Sequence, residues 1–132
     1  RFASPDINVK KETVIPAAPL SEESEHLLPL RWIGLLSSRI EASLAASTGI
    51  HTSEQAIKMI LAGADAVQMA SAFYKNGNSY LTRIIKELEQ WMDNKDYKSL
   101  QDFKGKLSFE KAKNPALYER AQFLSQFGGY RK

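Results

Sequence analysis

Two short runs of small, uncharged residues, each closed by a turn and followed by a helical pattern, constrain this chain more than any other feature. Ala42-Ser43-Leu44-Ala45-Ala46-Ser47 stops at Thr48-Gly49, and Asp65-Ala66-Val67-Gln68-Met69-Ala70 stops at the small pair Ser71-Ala72. Alanine favours helix, but a run this short with a turn at its end reads as a strand. Between the runs, Thr52-Ser53-Glu54-Gln55 is a capping box, with Thr52 as N-cap and Gln55 three positions on. Gly63 stands where a helix C-terminal cap would, so the pattern predicts a helix over 53–62. The resulting strand–helix–strand unit is long enough for a parallel crossover, which predicts an α/β fold.

The flanking sequence extends this order. Residues 7–15 have extended, β-branched character, and Pro16-Ala17-Ala18-Pro19 can occupy neither a helix interior nor a central strand, so the segment reads as a connector. Ser21-Glu22-Glu23 supplies an N-cap and first-turn carboxylates for a helix over about 22–36, bent or restarted at Pro29. Leu81, Ile84, Ile85, Leu88, Trp91 and Met92 recur at helical spacing, which predicts a helix over 79–93 with one buried face. A short helix from Ser99 to Lys104 ends at Gly105, and Asn114-Pro115 opens a last helix to about Phe127, closed by Gly128-Gly129.

Composition excludes several chemistries. The 132 residues include no cysteine, which removes disulfides, thiolate metal sites, iron–sulfur clusters and a cysteine nucleophile from this stretch. No apolar run approaches the ~18 residues of a membrane span. Residues 75–132 carry 12 basic and 7 acidic side chains, against 6 and 8 in residues 1–74. The lysines alternate with acids, as in Lys86-Glu87-Leu88-Glu89, which is the texture of a solvated helical face rather than of a nucleic-acid surface. The absent initiating Met leads us to expect a partial chain.

At the carboxyl edge of a parallel sheet, where ligands usually bind, the turns after the two strands would stand side by side. Thr48-Gly49 and Ala70-Ser71 would expose backbone N–H groups, and a helix N-terminus would add positive charge, forming a two-sided phosphate cup. Small residues also serve tight turns and close helix packing, and from the residues alone both readings stay open. His51 is an isolated imidazole without a paired carboxylate and reads as a turn residue; His26 reads as structural. Glu54 belongs to a first helical turn, Asp65 to the start of a strand, and Met69 and Trp91 to the core. No metal-ligand spacing is present, so no metal is expected.

The run Leu44-Ala45-Ala46-Ser47-Thr48-Gly49-Ile50-His51-Thr52-Ser53, followed by Ile60-Leu61-Ala62-Gly63-Ala64-Asp65-Ala66-Val67-Gln68-Met69-Ala70-Ser71-Ala72, resembles the last two strand–loop–helix units of dihydroorotate dehydrogenases. Ile84-Ile85-Lys86-Glu87-Leu88-Glu89-Gln90-Trp91-Met92 and Tyr97-Lys98-Ser99-Leu100-Gln101-Asp102-Phe103-Lys104-Gly105-Lys106 are similar to the end of soluble members. Arg1-Phe2-Ala3-Ser4-Pro5-Asp6-Ile7 is similar to the excursion after the sixth strand in the dihydroorotate dehydrogenase-like branch.

The resemblance implies a (β/α)8 TIM barrel of ~250 residues or more, of which this chain would hold the last third. Residues 1–20 would be the excursion, 21–93 the last two strand–helix units and 94–132 the extra C-terminal helices of a single flavin-binding domain. It also implies an oxidoreductase of pyrimidine biosynthesis that uses FMN and oxidises dihydroorotate to orotate. A Cys or Ser base removes a proton while the flavin takes a hydride, and an acceptor reoxidises the flavin. Residue by residue, the cofactor phosphate contacts fall on Thr48, Gly49, Ala70 and Ser71, with Thr48 and Ala70 replacing family glycines. Thr48 would then need an ordinary backbone conformation, and its methyl would crowd the flavin. The base loop, the flavin-ring lysine and the substrate asparagines lie in upstream family segments, so no catalytic residue is assigned, His51 included.

The expected setting is cytoplasmic, with a small-molecule substrate, no nucleic acid and no membrane. Self-association, or association with the missing N-terminal portion, is expected, and the piece alone should be inactive. Two alternatives remain: a non-enzymatic α/β module binding an anion or a partner, and an FMN barrel acting on a different substrate.

Overall fold

A computed structural model describes residues 5–119. Its centre is a parallel pair of very short strands, β3 (Ala45–Ala46) and β4 (Ala66–Val67), in register Ala45 with Ala66 and Ala46 with Val67. The helix α2 (Ser53–Ala62) connects them. The pairing runs past the formal strands, since the Asp65 and Gln68 N–H groups each donate at 2.8 Å, to the Leu44 and Ala46 carbonyls. The strands are shorter than the sequence runs because, among the described residues, each has a partner on one side only. The α/β expectation therefore holds at the level of this unit.

Small residues let α2 and α1 (Leu27–Leu36) approach the strands closely. Ala46, Ala56, Ala62 and Ala64 pack with Ile33, Ile50 and Met59 in one buried cluster, against which Leu30, Leu44, Val67 and Met69 are half-packed. Thr52 caps α2 as its sequence predicts: its hydroxyl accepts the Gln55 N–H, and the Gln55 carboxamide oxygen accepts the Thr52 N–H.

The other end of α2 explains how the C-terminal segment is held. A helix leaves its last four carbonyls without intrahelical partners. Here the Met59 carbonyl takes the Gly63 and Ala64 N–H groups, and the Ile60 carbonyl takes the Gly63 and Gly105 N–H groups. Leu61 accepts from the Leu107 N–H, and Ala62 accepts from the Ser37 hydroxyl. Two of these four carbonyls, those of Ile60 and Leu61, take donors from the distant residues Gly105 and Leu107, so the tail completes the helix. Phe103 is fully buried beside it, in a ring cluster with Trp91 and Tyr97 at centroid distances of 4.9 and 5.3 Å. Farther on, the Phe109 N–H donates to the Gly34 carbonyl, and the Tyr118 ring lies against Gly34 while its own carbonyl accepts from Arg31.

Several elements differ from expectation. The extended character of residues 7–15 holds, but their pairing was not expected: β1 (Pro5–Asn8) and β2 (Thr13–Pro16) make an antiparallel hairpin whose apolar side chains are exposed. The first helix opens with a 3-10 turn, Glu23–His26, capped by Glu22 rather than Ser21, because Ser21 is engaged elsewhere. Pro29 neither bends nor restarts α1; it lies in the first turn, where no N–H is needed. Ser71-Ala72 is not a turn but the start of α3 (Ser71–Asn76).

The helix α4 (Tyr80–Asp93) forms as predicted, but of its apolar stripe only Ile84 is buried, while Leu81 and Ile85 are 47% and 45% exposed. It packs on α2 and α3, which cover only part of that stripe. Trp91 is half-buried within the ring cluster rather than at the centre of the core. The expected 99–104 helix is a 3-10 turn at Leu100–Asp102, and the last predicted helix is described only as a 3-10 turn at Pro115–Tyr118. The rest of that helix, and Arg1 to Ser4, lie outside the described residues.

Two predictions follow from the way the tail is held. Gly63 has φ of 118°, and a Cβ there would sit 2.4 Å from the Ser37 Cβ and Oγ. Gly63→Ala should cost about 2 kcal/mol in denaturant unfolding, because backbone strain and a steric clash act together. The Lys104 ammonium, at 2.5 Å, and the Leu44 N–H hold the Asp65 carboxyl below its ordinary value of 3.8. Its folded value lies below its unfolded one, so this contribution is present above about pH 4 and is lost as pH falls through the folded value. In a double-mutant cycle, Asp65→Asn with Lys104→Met should show a coupling of about 0.5 kcal/mol at pH 7 that vanishes at pH 2.

Candidate functional site

Parallel pairing sends both strands out of the sheet at the same edge, and the segments that follow them line one cavity. Thr48, Gly49, Ala70 and Ser71 all border it, together with Ser47, Ile50, Gln68, Met69, Tyr74 and the Pro19–Ser21 approach. The cavity volume is about 650 Å³, within the ~300–1,000 Å³ typical of small-molecule sites. No acidic side chain is part of the lining.

The first loop turns through two consecutive left-handed residues, Thr48 at φ 78° and Gly49 at φ 72°. The expectation that Thr48 keeps an ordinary conformation is thus corrected. A β-branched residue in this region is strained, and the surrounding contacts hold it there. Gly49 is buried with its α-carbon against the 3-10 turn: a Cβ would meet the His26 nitrogen at 2.2 Å. Close packing therefore demands glycine at position 49.

Among the described residues, the N–H groups of Thr48, Gly49, Ala70 and Ser71 donate to no other group. Four residues with unpaired peptide N–H groups, one of them also carrying a hydroxyl, therefore line a cavity that no acidic side chain borders, and peptide N–H groups are the donors that anion-binding concavities use. The helix α3 that begins at Ser71 has six residues. The Lys75 ammonium lies 3.8 Å from Glu22 and donates at 3.5 Å to the carbonyl oxygen of Ser21, a cavity-lining residue.

His51 lies in the loop before α2, in keeping with its reading as a turn residue, and it is buried there. It is 5% exposed, its N–H donates to the Gln55 Oε1 at 2.6 Å, and its Nε2 lies 3.1 Å from the Ser21 Oγ. Ser21 in turn donates its N–H to the Ser71 Oγ at 2.9 Å, and its hydroxyl lies 3.0 Å from the same oxygen. Reading the sequence makes Ser21 an N-cap; its actual contacts join residues 30 and 50 positions away, and no local signal encodes them. His26, by contrast, is structural as expected, buried with its Nδ1 against the Glu23 carbonyl. Glu54 pairs with Lys58 at 2.6 Å on the exposed face of α2 and takes no part in the cavity. Among the described residues no cluster of three or more His, Asp or Glu could hold a metal, and no helix is long and apolar enough to cross a membrane.

Comparison with known proteins agrees with the resemblance drawn from the residues. The dihydroorotate dehydrogenase family model matches residues 28–92. The dihydroorotate dehydrogenase A (fumarate) of Lactococcus lactis subsp. lactis (strain IL1403) is 43% identical over 67 residues, 51% of this chain and 22% of that protein. The dihydroorotate dehydrogenase (fumarate) of Trypanosoma brucei brucei is 41% identical over 59 residues, 45% of this chain and 19% of that protein. The corresponding protein of Lachancea kluyveri is 40% identical over 60 residues, 46% of this chain and 19% of that protein. The chain spans about a fifth of the length of these relatives. Its similarity to the dihydroorotate dehydrogenase family model lies in residues 28–92, the stretch that contains both loops.

The strained threonine offers a direct check. Left-handed backbone costs a non-glycine residue about 1–2 kcal/mol, while glycine adds about 0.5–1 kcal/mol of unfolded-state entropy. Thr48→Gly should therefore raise stability by about 0.5 kcal/mol in denaturant unfolding; a loss of stability would show that the Thr48 side chain makes compensating contacts.

Proposed function

We propose that this stretch of dihydroorotate dehydrogenase sequence is the C-terminal part of an FMN-dependent oxidoreductase of that type, and that it contributes the phosphate end of the cofactor site. The proposal extends to a barrel of which residues 21–93 supply the last two strand–helix units, and to dihydroorotate as the substrate. The observation that carries it is that Thr48, Gly49, Ala70 and Ser71, whose peptide N–H groups have no partner among the described residues, line a single cavity and are the positions where the family resemblance puts the cofactor phosphate.

FMN, when bound, supplies the two-electron chemistry by which a hydride leaves the substrate. This chain's own part is binding and orientation. The Thr48 and Gly49 amides would donate to phosphate oxygens from one side, the Ala70 and Ser71 amides from the other. Two loops rising from hydrogen-bonded neighbouring strands keep a constant separation, so the donors need no rearrangement on binding. The uncharged lining avoids repulsion of the anion, and Met69 and Ile50 limit water access at the base of the cavity. Backbone donors survive the replacement of the family glycines by Thr48 and Ala70, since an amide proton is present whatever the side chain.

The alternative of a basic module docking a polyanion is less well supported. Lys58, Lys75 and Lys104 each pair with a carboxylate, at 2.6, 3.8 and 2.5 Å.

Titration of the protein that carries this chain with FMN should quench flavin fluorescence saturably, and inorganic phosphate should compete; absence of saturable binding would overturn the cofactor reading. In the protein that carries this chain, anaerobic addition of dihydroorotate should bleach the flavin absorbance. Bound FMN that stays oxidised under those conditions would point to a different substrate.

A further inference from the structure

Ser21 touches both sides of the cavity at once. It precedes the 3-10 turn, it is 6% exposed, and it reaches the first loop through His51 and the second through Ser71. From this arrangement we infer that Ser21 and His51 are positioning residues whose hydrogen-bond chain turns the Ser71 hydroxyl into a proton donor toward a phosphate in the cavity. The inference rests on the flavin-phosphate reading above and deepens it.

A hydroxyl has one proton to give and two positions at which to accept. The Ser71 Oγ already accepts the Ser21 N–H at 2.9 Å, and the Ser21 Oγ stands 3.0 Å away. When the Ser21 hydroxyl donates across that distance, both acceptor positions of Ser71 are filled. The Ser71 proton is then the one member of the chain left to point outward, and Ser71 borders the cavity.

His51 sets the direction. With its proton on Nε2, the imidazole donates across 3.1 Å to the Ser21 Oγ, and the Ser21 proton is released toward Ser71. With the proton on Nδ1, Nε2 accepts from Ser21, Ser71 donates inward to Ser21, and a lone pair faces the ligand instead. A phosphate oxygen accepts hydrogen bonds and does not donate them when ionised, so it selects the first arrangement.

Burial of His51 and Ser21 keeps water from competing for these contacts, which strengthens the chain. The His51 backbone N–H and the Thr52 N–H both donate to the Gln55 carboxamide oxygen, so the backbone that carries the ring is held by the same capping residue that starts α2. His51 does not border the cavity. It acts through Ser21, and no role as a base is implied.

The experiment compares FMN with riboflavin, which lacks the phosphate, by fluorescence titration of the full chain. Ser21→Ala and His51→Phe should each weaken FMN binding roughly tenfold, the scale of one hydrogen bond to a charged group, and leave riboflavin binding unchanged. His51→Gln restores a donor near the Nε2 position and should recover most of the loss. The double variant should be no weaker than either single one, because both break the same chain. Circular dichroism accompanies each titration, and if Ser21→Ala unfolds, the His51→Phe and His51→Gln pair carries the same comparison.

Unchanged FMN affinity in folded Ser21→Ala would overturn the inference and leave the flavin reading standing. Equal loss of FMN and riboflavin affinity would overturn it too, by making the contacts merely structural. A native chain that binds FMN no better than riboflavin would overturn the phosphate reading, and this inference with it.

Discussion

The parallel pairing of Ala45–Ala46 with Ala66–Val67 is the constraint from which the rest of the molecule follows. A parallel pair points both strands the same way, so the chain must leave both at one edge, and the two loops meet there without any further instruction. An antiparallel pairing of the same residues would send Thr48-Gly49 and Ala70-Ser71 to opposite ends. The pair is short, and α2 and the alanine-rich cluster around Met59 hold it in register by burying its apolar side.

The same helix organises the far end of the unit. Its last carbonyls need partners, and the C-terminal segment provides two of them at Gly105 and Leu107 while Phe103 fills the space beside Trp91 and Tyr97. Asp65 links the two regions, because its carboxylate holds the Leu44 N–H at the strand entry and the Lys104 ammonium on the tail. Ligand-bordering loops at one edge and a tail at the other thus share a single scaffold. The strain at Thr48 is tolerated because that scaffold fixes the residues on both sides of it.

Much of the fold was legible locally. The Thr52–Gln55 capping box, the Gly63 cap, α4 and the two strand runs are all encoded within windows of a few residues, where hydrogen bonds close between near neighbours. The hairpin was not legible as such, since its exposed side chains lack the alternation that marks a half-buried strand. The partial exposure of α4 was not legible either, because periodicity reports an apolar stripe but not what covers it. At the site, the four loop positions could be named from their spacing, whereas Ser21 was misread as a cap, and the burial of the loop residue His51 against it was not legible. Their contacts span 30 and 50 positions, beyond any local pattern.

By itself, the amino-acid sequence determined the strand–helix–strand order, the turns that end each strand, the absence of thiol chemistry and the similarity to the dihydroorotate dehydrogenases, because each depends on residue type and near-neighbour spacing. Only the tertiary structure decided that Thr48 takes left-handed backbone, that the tail completes α2, and that Ser21 bridges His51 to Ser71. Those outcomes depend on which distant groups are left with an unmet hydrogen bond or an unfilled space once the chain has packed, and that is a property of the assembled molecule.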